Sequence, residues 1–252
     1  MENPLHHFEI HPIIHLSLMG FDISISKAII AMWVGLSIVF GLFMLVVKSG
    51  VGIVPGKLQI VAEMSLGFIK EMVEEFIGKK DAPKYFPFIA TIFFFILSCN
   101  LIGMIPGSYT ITSQLVVTGV FASGIFILTL FIGFAKHGLR FFGILVPPGV
   151  PKIMIPIMIP IEIISMIARP VSLAVRLFAN MTAGHTILYV LFGLALSTPL
   201  MIGWLPFGFT VAINGLEIAI AFIQAYIFTI LTCVYIGAVS YTHLTLPTNR
   251  EV

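Results

Sequence analysis

Five long apolar runs alternate with more polar connections along the chain, at about 28–47, 86–106, 115–135, 153–194 and 203–238. About 20 helical residues cross the hydrocarbon layer of a bilayer, so each of the first three runs is one span long. None breaks into the short alternating segments of a membrane β-barrel. The pattern predicts an all-α, polytopic membrane protein with about five embedded helical segments. The last two runs exceed one span: at ~1.5 Å per residue they reach ~63 and ~54 Å, against ~30 Å of hydrocarbon. Either each folds into more than one span, or each is a long, strongly tilted helix. Pro156, Pro160 and Pro170 can kink the first without ending it.

The stretch between the first two runs has a different period. Pro55 suits a first helical turn, and Leu58, Val61, Met64, Phe68, Met72 and Phe76 recur at helical spacing. Lys57, Glu63, Lys70, Glu71, Glu74 and Glu75 supply the polar faces. This spacing predicts an amphipathic helix over 55–77, lying along one membrane surface. Lysine and arginine decide which surface. The 48–84 and 136–152 connections hold nine of them, against Lys27 alone on the opposite side. Positive connections stay in the cytoplasm, which puts the amino terminus outside and the carboxyl terminus inside.

Composition agrees with this picture and narrows the chemistry. The 252 residues are 59% hydrophobic and 10% charged, with a mean hydropathy of +1.11, too few charges to clothe a soluble domain. A formal charge of +2 does not point to nucleic acid. Cys99 and Cys233 lie inside apolar runs, where a thiol acts as a small hydrophobe. His6, His7, His11 and His15 lack regular ligand spacing, so no metal site is expected. "PGKL" and "GKK" lack the spacing of a phosphate loop, and neither a nucleotide site nor any cofactor is expected. The first residues have no basic region or cleavage site of a signal peptide.

Against this background the polar residues of the last two runs stand out: Glu162, Arg169, Arg176, Asn180, His185, Glu217 and Gln224. A charged group at the bilayer centre costs at least ~2.5–3.5 kcal/mol, so such residues face protein or water and often have a task. Glu162 and Arg169, seven residues apart near the cytoplasmic end, have a structural reading too, as a helix-stabilising pair or an interfacial group. At ~100° per residue, Glu162, Ser165, Arg169, Ser172, Arg176 and Asn180 share one line, and His185 points to the opposite face. If the two long runs form an antiparallel hairpin about Ser197–Gly203, facing residues have a near-constant sum of numbers. That sets Arg176 level with Gln224, and His185 level with Glu217 nearer the outside. A His and a Glu at one depth can exchange protons near neutral pH. An Arg stays charged and acts as a fixed cation that blocks leak and attracts a carboxylate. The acid it needs is expected on another chain.

The segment "PVSLAVRLFANMTAGH" at 170–185 resembles the arginine helix of the subunit a family of F-type ATP synthases. Colinear blocks support the resemblance: "NPLHHFEI" at 3–10, "VPGKLQIVAEM" at 54–64, "FPFIATIFFFILSCNLIGMIPGSYTITSQ" at 86–114 and "LEIAIAFIQAYIFTILTCVYI" at 216–236. It covers residues 1–238 as one membrane domain; the tail 239–252 does not resemble the family and is set aside as a candidate non-native end. The resemblance implies that Arg176 faces a ring of c subunits, each with a proton-binding carboxylate. It implies that Asn180 and Gln224 are polar neighbours of that arginine. His185 and Glu217 match positions where the family places an acid and a histidine in either order. Glu162 and Arg169 match positions toward a candidate cytoplasmic half-channel. The implied function is the proton-channel stator, without a catalytic site of its own, with two offset half-channels coupling proton flow to rotation and ATP synthesis. Implied partners are the c-subunit ring, the peripheral-stalk b subunits, the remaining synthase subunits and the lipid bilayer. The implied location is the bacterial plasma membrane, with the mitochondrial inner membrane as its equivalent. The family's last two helices cross singly and obliquely. A stand-alone proton-coupled secondary transporter is the alternative, and would be expected to show internal repeats that this chain lacks.

Overall fold

The computed structural model describes residues 12–14, 17–18, 21–22, 24–48, 55–105, 110–138, 154–198 and 200–240. His6, His7, His11 and His15, and the tail beyond Ser240, lie outside the described residues. Two small antiparallel strand pairs precede the first helix: β1 (Pro12–Ile14) with β4 (Ile25–Ser26), and between them β2 (Ser17–Leu18) with β3 (Phe21–Asp22). Six long helices follow among the described residues: α1 (Lys27–Lys48), α2 (Lys57–Ile77), α3 (Ala82–Gly103), α4 (Leu115–His137), α5 (Ile155–Ser197) and α6 (Leu200–Ser240). A short 3-10 turn, Ile111–Ser113, links α3 to α4.

Five of these helices, all but α2, are long and apolar enough to cross a membrane. The chain is a multi-pass, all-α membrane protein. Both long runs form single helices: α5 has 43 residues and α6 has 41. Pro160 and Pro170 lie inside α5 and Pro206 inside α6 without ending either. A 43-residue helix is ~64 Å long, so it fits ~30 Å of hydrocarbon only if strongly inclined or projecting beyond it. The α5–α6 turn is tighter than Ser197–Gly203, because α6 already begins at Leu200.

α3 and α6 form the centre of the bundle, with α2 on both, α1 on α3, and α4 beside α5. The shared core joins Ile69, Val73 and Ile77 of α2 to Ile89, Phe93 and Ile96 of α3 and to Ala225, Phe228 and Ile236 of α6. Between lipid-facing helices the drive is close packing rather than escape from water, which favours small residues at contacts. Gly237 is the clearest case: a Cβ there would run into the carbonyl oxygen of Phe76 at the end of α2. Many helical hydroxyls are satisfied locally. Thr129, Thr186, Thr229 and Thr232 each donate to the carbonyl four residues earlier, so none needs a partner in lipid.

The amphipathic helix forms, but its buried stripe is not the one its spacing suggests. The face against α3 and α6 is Ala62, Ile69, Met72, Val73 and Ile77. Of the expected stripe Met72 is buried, whereas Leu58, Val61, Met64 and Phe68 are exposed. The helix has apolar residues on two sides, and periodicity alone does not say which one meets protein. Its exit is pinned by Asp81, whose carboxylate accepts a hydrogen bond from Lys136 Nζ of α4 at 2.9 Å. That bond, together with the charges of Lys136 and its neighbours, holds the Asp81 carboxyl below its ordinary value of 3.8.

Candidate functional site

The site lies along the α5–α6 contact. α5 alternates between two environments as its period dictates: Leu173, Ala174, Leu177, Met181 and His185 turn inward, while Ser172, Arg176 and Asn180 turn outward. The 180° phase difference between Arg176 and His185 therefore becomes a difference between an exposed cation and a buried imidazole. Nine residues of helix set them ~13 Å apart along the axis.

At the level nearer the α5–α6 turn, His185 is 7% exposed and Glu217 only 3%. His185 Nε2 stands 3.7 Å from Glu217 Oε1, across the helix pair. Gly184 makes this approach possible, since a Cβ at that position would lie 2.6 Å from Glu217 Oε1. A second contact reaches the histidine from the α3–α4 connection: Thr110 Oγ1 lies 3.0 Å from the same Nε2. Neither carboxyl oxygen of Glu217 has a hydrogen bond among the described residues. A buried acid without such a bond is costly, and groups of this kind gather where they are used.

Further from that turn, Asn180 Nδ2 donates to Gln224 Oε1 at 3.2 Å. Gln224 thus meets Asn180, one turn along α5 from Arg176. The other side of the Gln224 amide, Nε2, is buried with no hydrogen bond among the described residues. Asn100 of α3 is also fully buried, donating to the Ala221 carbonyl of α6 at 3.3 Å and leaving Oδ1 without a partner. Arg176 is exposed, and no described carboxylate pairs with it. Toward the amino end of α5, Arg169 Nη2 lies 3.8 Å from Glu162 Oε1, and its guanidinium sits 5.9 Å from the Tyr235 ring centre.

All seven residues singled out by the sequence thus lie along this helix pair. Three contacts join six of them to a partner: His185 with Glu217, Asn180 with Gln224, and Arg169 with Glu162. Asn100, Thr110 and Tyr235 were not singled out. Asn100 had a legible signal, a lone amide in an apolar run. Thr110 had none, because only the folded connection brings it to His185. Among the described residues no group of His, Cys, Asp and Glu has the arrangement of a metal site.

A family model described as ATP synthase A chain matches residues 29–237, most of the chain. Curated relatives agree over nearly full length. The ATP synthase subunit a of Magnetococcus marinus is 46% identical over 244 residues, 96% of this chain and 94% of the relative. That of Pelagibacter ubique is 45% identical over 93% of this chain and 96% of the relative. That of Rhodospirillum rubrum is 40% identical, covering 94% and 98%. An exposed arginine beside a buried acid and histidine on two overlong helices is thus found in a chain that belongs to the ATP synthase A chain family.

Proposed function

We propose that this chain is the proton-conducting stator of an F-type ATP synthase and works through two offset half-channels. The observation that supports this most directly is the exposure of Arg176 without a described acidic partner, one turn from the Asn180–Gln224 bond. A cation on the outside of a helix, at membrane depth, needs a carboxylate from elsewhere. The c-subunit ring supplies one on each subunit.

In the proposed cycle a proton enters from outside past Glu217 and His185 and neutralises a ring carboxylate. The neutral site turns into lipid. Near the end of the revolution a carboxyl meets the cytoplasmic half-channel, lined by Glu162 and Arg169, and loses its proton there. Release is favoured by approach to Arg176, because a nearby opposite charge lowers a carboxyl pKa. Arg176 does not deprotonate, so it does not pass a proton between the two half-channels. The buried oxygens of Glu217 and the amide atoms of Asn100 and Gln224 that lack protein partners suit a short file of water. Each charge gains ~2.3 kcal/mol per 100 mV, so the rotor sums several crossings for each ATP. The peripheral stalk holds the chain still against the ring, and the amino terminus lies outside and the carboxyl terminus in the cytoplasm. Residues 1–238 serve this as one unit; the tail 239–252, which does not resemble the family, is left out of this reading.

The test is Arg176→Ala in the assembled complex. Proton-driven ATP synthesis and ATP-driven pumping should both fall to background, while the complex still assembles. Pumping retained at wild-type rate would overturn the proposal.

A further inference from the structure

We infer that Thr110 is a positioning residue for His185, a hydroxyl partner that the imidazole keeps in both of its protonation states. This rests on the reading of His185 as a proton carrier and assigns it a second contact besides Glu217.

The geometry around one atom leads there. His185 Nε2 is 3.0 Å from Thr110 Oγ1 but 3.7 Å from Glu217 Oε1, so the hydroxyl, not the acid, is within hydrogen-bond range. Thr110 Oγ1 has one further neighbour, the Gly103 carbonyl oxygen at the end of α3, 3.2 Å away. Thr110 is 8% exposed and His185 7%, so water does not readily replace either bond. The threonine is pressed close by design of the backbone: a Cβ on Gly103 would lie 2.7 Å from Thr110 Cγ2. Ser113 Oγ donates to the Thr110 carbonyl at 2.7 Å and fixes the turn that presents the side chain.

A hydroxyl is one donor and one acceptor, whereas a carbonyl or a carboxylate only accepts. When His185 is charged, Nε2–H donates to Thr110 Oγ1, and the hydroxyl proton turns to the Gly103 carbonyl. When His185 is neutral with its proton on Nδ1, the hydroxyl turns back and donates to Nε2. No proton passes through the threonine, and only its hydroxyl rotates. The imidazole can therefore gain and lose a proton at Glu217 without leaving Nε2 buried and unpaired in either state. An acceptor in place of Thr110 would satisfy only the charged ring or the Nε2–H tautomer, and would hold the proton on that nitrogen.

Two pairs of variants isolate the hydroxyl in the complete synthase in lipid vesicles: Thr110 against Thr110→Val, and Thr110→Ser against Thr110→Ala. Within each pair only the oxygen differs appreciably. Proton-driven ATP synthesis is measured per assembled complex, with His185→Ala as reference, and the ring-nitrogen signals of 15N-histidine report the Nε2 bond. Synthesis should fall about tenfold in Thr110→Val and Thr110→Ala and stay within about twofold of wild type in Thr110→Ser, with the His185 nitrogen signals shifted only in the first two. Equal rates in Ser and Ala variants would overturn the inference, as would a Thr110→Ser loss as deep as that of Thr110→Val, which would assign the effect to the methyl group against Gly103. If Thr110→Val fails to assemble, the Ser–Ala pair decides alone. Wild-type synthesis in His185→Ala would instead overturn the proposed role of His185 and this inference with it. Loss in His185→Ala with none in Thr110→Val or Thr110→Ala would overturn the inference alone.

Discussion

At the scale of single residues, the site is governed by where a side chain has no neighbour to spare. Gly184 shows how opposing terms are weighed. Alanine in a helix is favoured over glycine by ~1 kcal/mol, so Gly184→Ala would help an isolated helix. Here the new Cβ would lie 2.6 Å from a buried carboxyl oxygen, and overpacking of that kind costs ~1–3 kcal/mol. The contact wins because Glu217 is boxed in on the helix interface. Gly184→Ala should therefore displace Glu217 from His185 and reduce proton-driven synthesis about tenfold, with the complex still assembled; an unchanged rate would show that the approach of the two side chains is not used. Arg176 presents the opposite case, since its surroundings within the chain are open. Its replacement should leave the thermal stability of the isolated chain within ~0.5 kcal/mol, the range of surface changes, while abolishing coupling.

At the scale of elements, the two long helices differ from the short connections in what secures them. α5 and α6 are continuous through three internal prolines, Pro160, Pro170 and Pro206, which membrane helices tolerate where surrounding groups take up the freed carbonyls. The α2–α3 turn depends on one ion pair across to α4, between Asp81 and Lys136, with side chains 36% and 30% exposed. Pairs so exposed contribute ~0.2–1 kcal/mol, and Asp81→Asn should cost no more than that in detergent-solubilised thermal unfolding. The pH dependence has a definite sign. The bond from Lys136 lowers the Asp81 pKa, so its contribution is complete above pH ~3.8 and is lost as pH falls through the folded value beneath it. The cost of Asp81→Asn should thus be constant at neutral pH and vanish in strong acid.

At the scale of the whole molecule, the helices are held to the bundle unequally. α1 is largely exposed and packs on α3, where Gly35 sits against Ile102 and Cys99 and Phe43 packs edge-on against Phe94. α2 is bound more tightly, with Phe68 among Phe93, Phe222 and Tyr226 and its last turn against Gly237. This contact ties the amphipathic helix to the carboxyl-terminal end of α6, the helix that holds Glu217 and Gln224. Gly237→Val should push α2 away and cost at least ~1–3 kcal/mol, seen as a lower melting temperature and poorer assembly with the other synthase subunits. Glu217 lies 20 residues away, so proton transfer in complexes that do assemble should be little changed.

Much of this was legible without coordinates, and for one physical reason: the bilayer sets the period, length and polarity that a crossing segment must have. Run length marked the five embedded helices, and the expense of charge in lipid singled out Glu162, Arg169, Arg176, Asn180, His185, Glu217 and Gln224. Helical phase alone separated Arg176 from His185. What remained open depended on contacts between segments distant in the chain. Which of two apolar sides of α2 meets α3 and α6, and whether Gln224 meets Arg176 or Asn180, differ by a turn or less in sequence. Close packing decides contacts of this kind, as at Gly184, Gly237 and Gly103, where a Cβ would run into the Glu217 side chain, the Phe76 backbone and the Thr110 side chain. Thr110 belongs to the same class: its hydroxyl is ordinary in sequence and acquires a partner only because folding carries the α3–α4 connection to the buried face of α5.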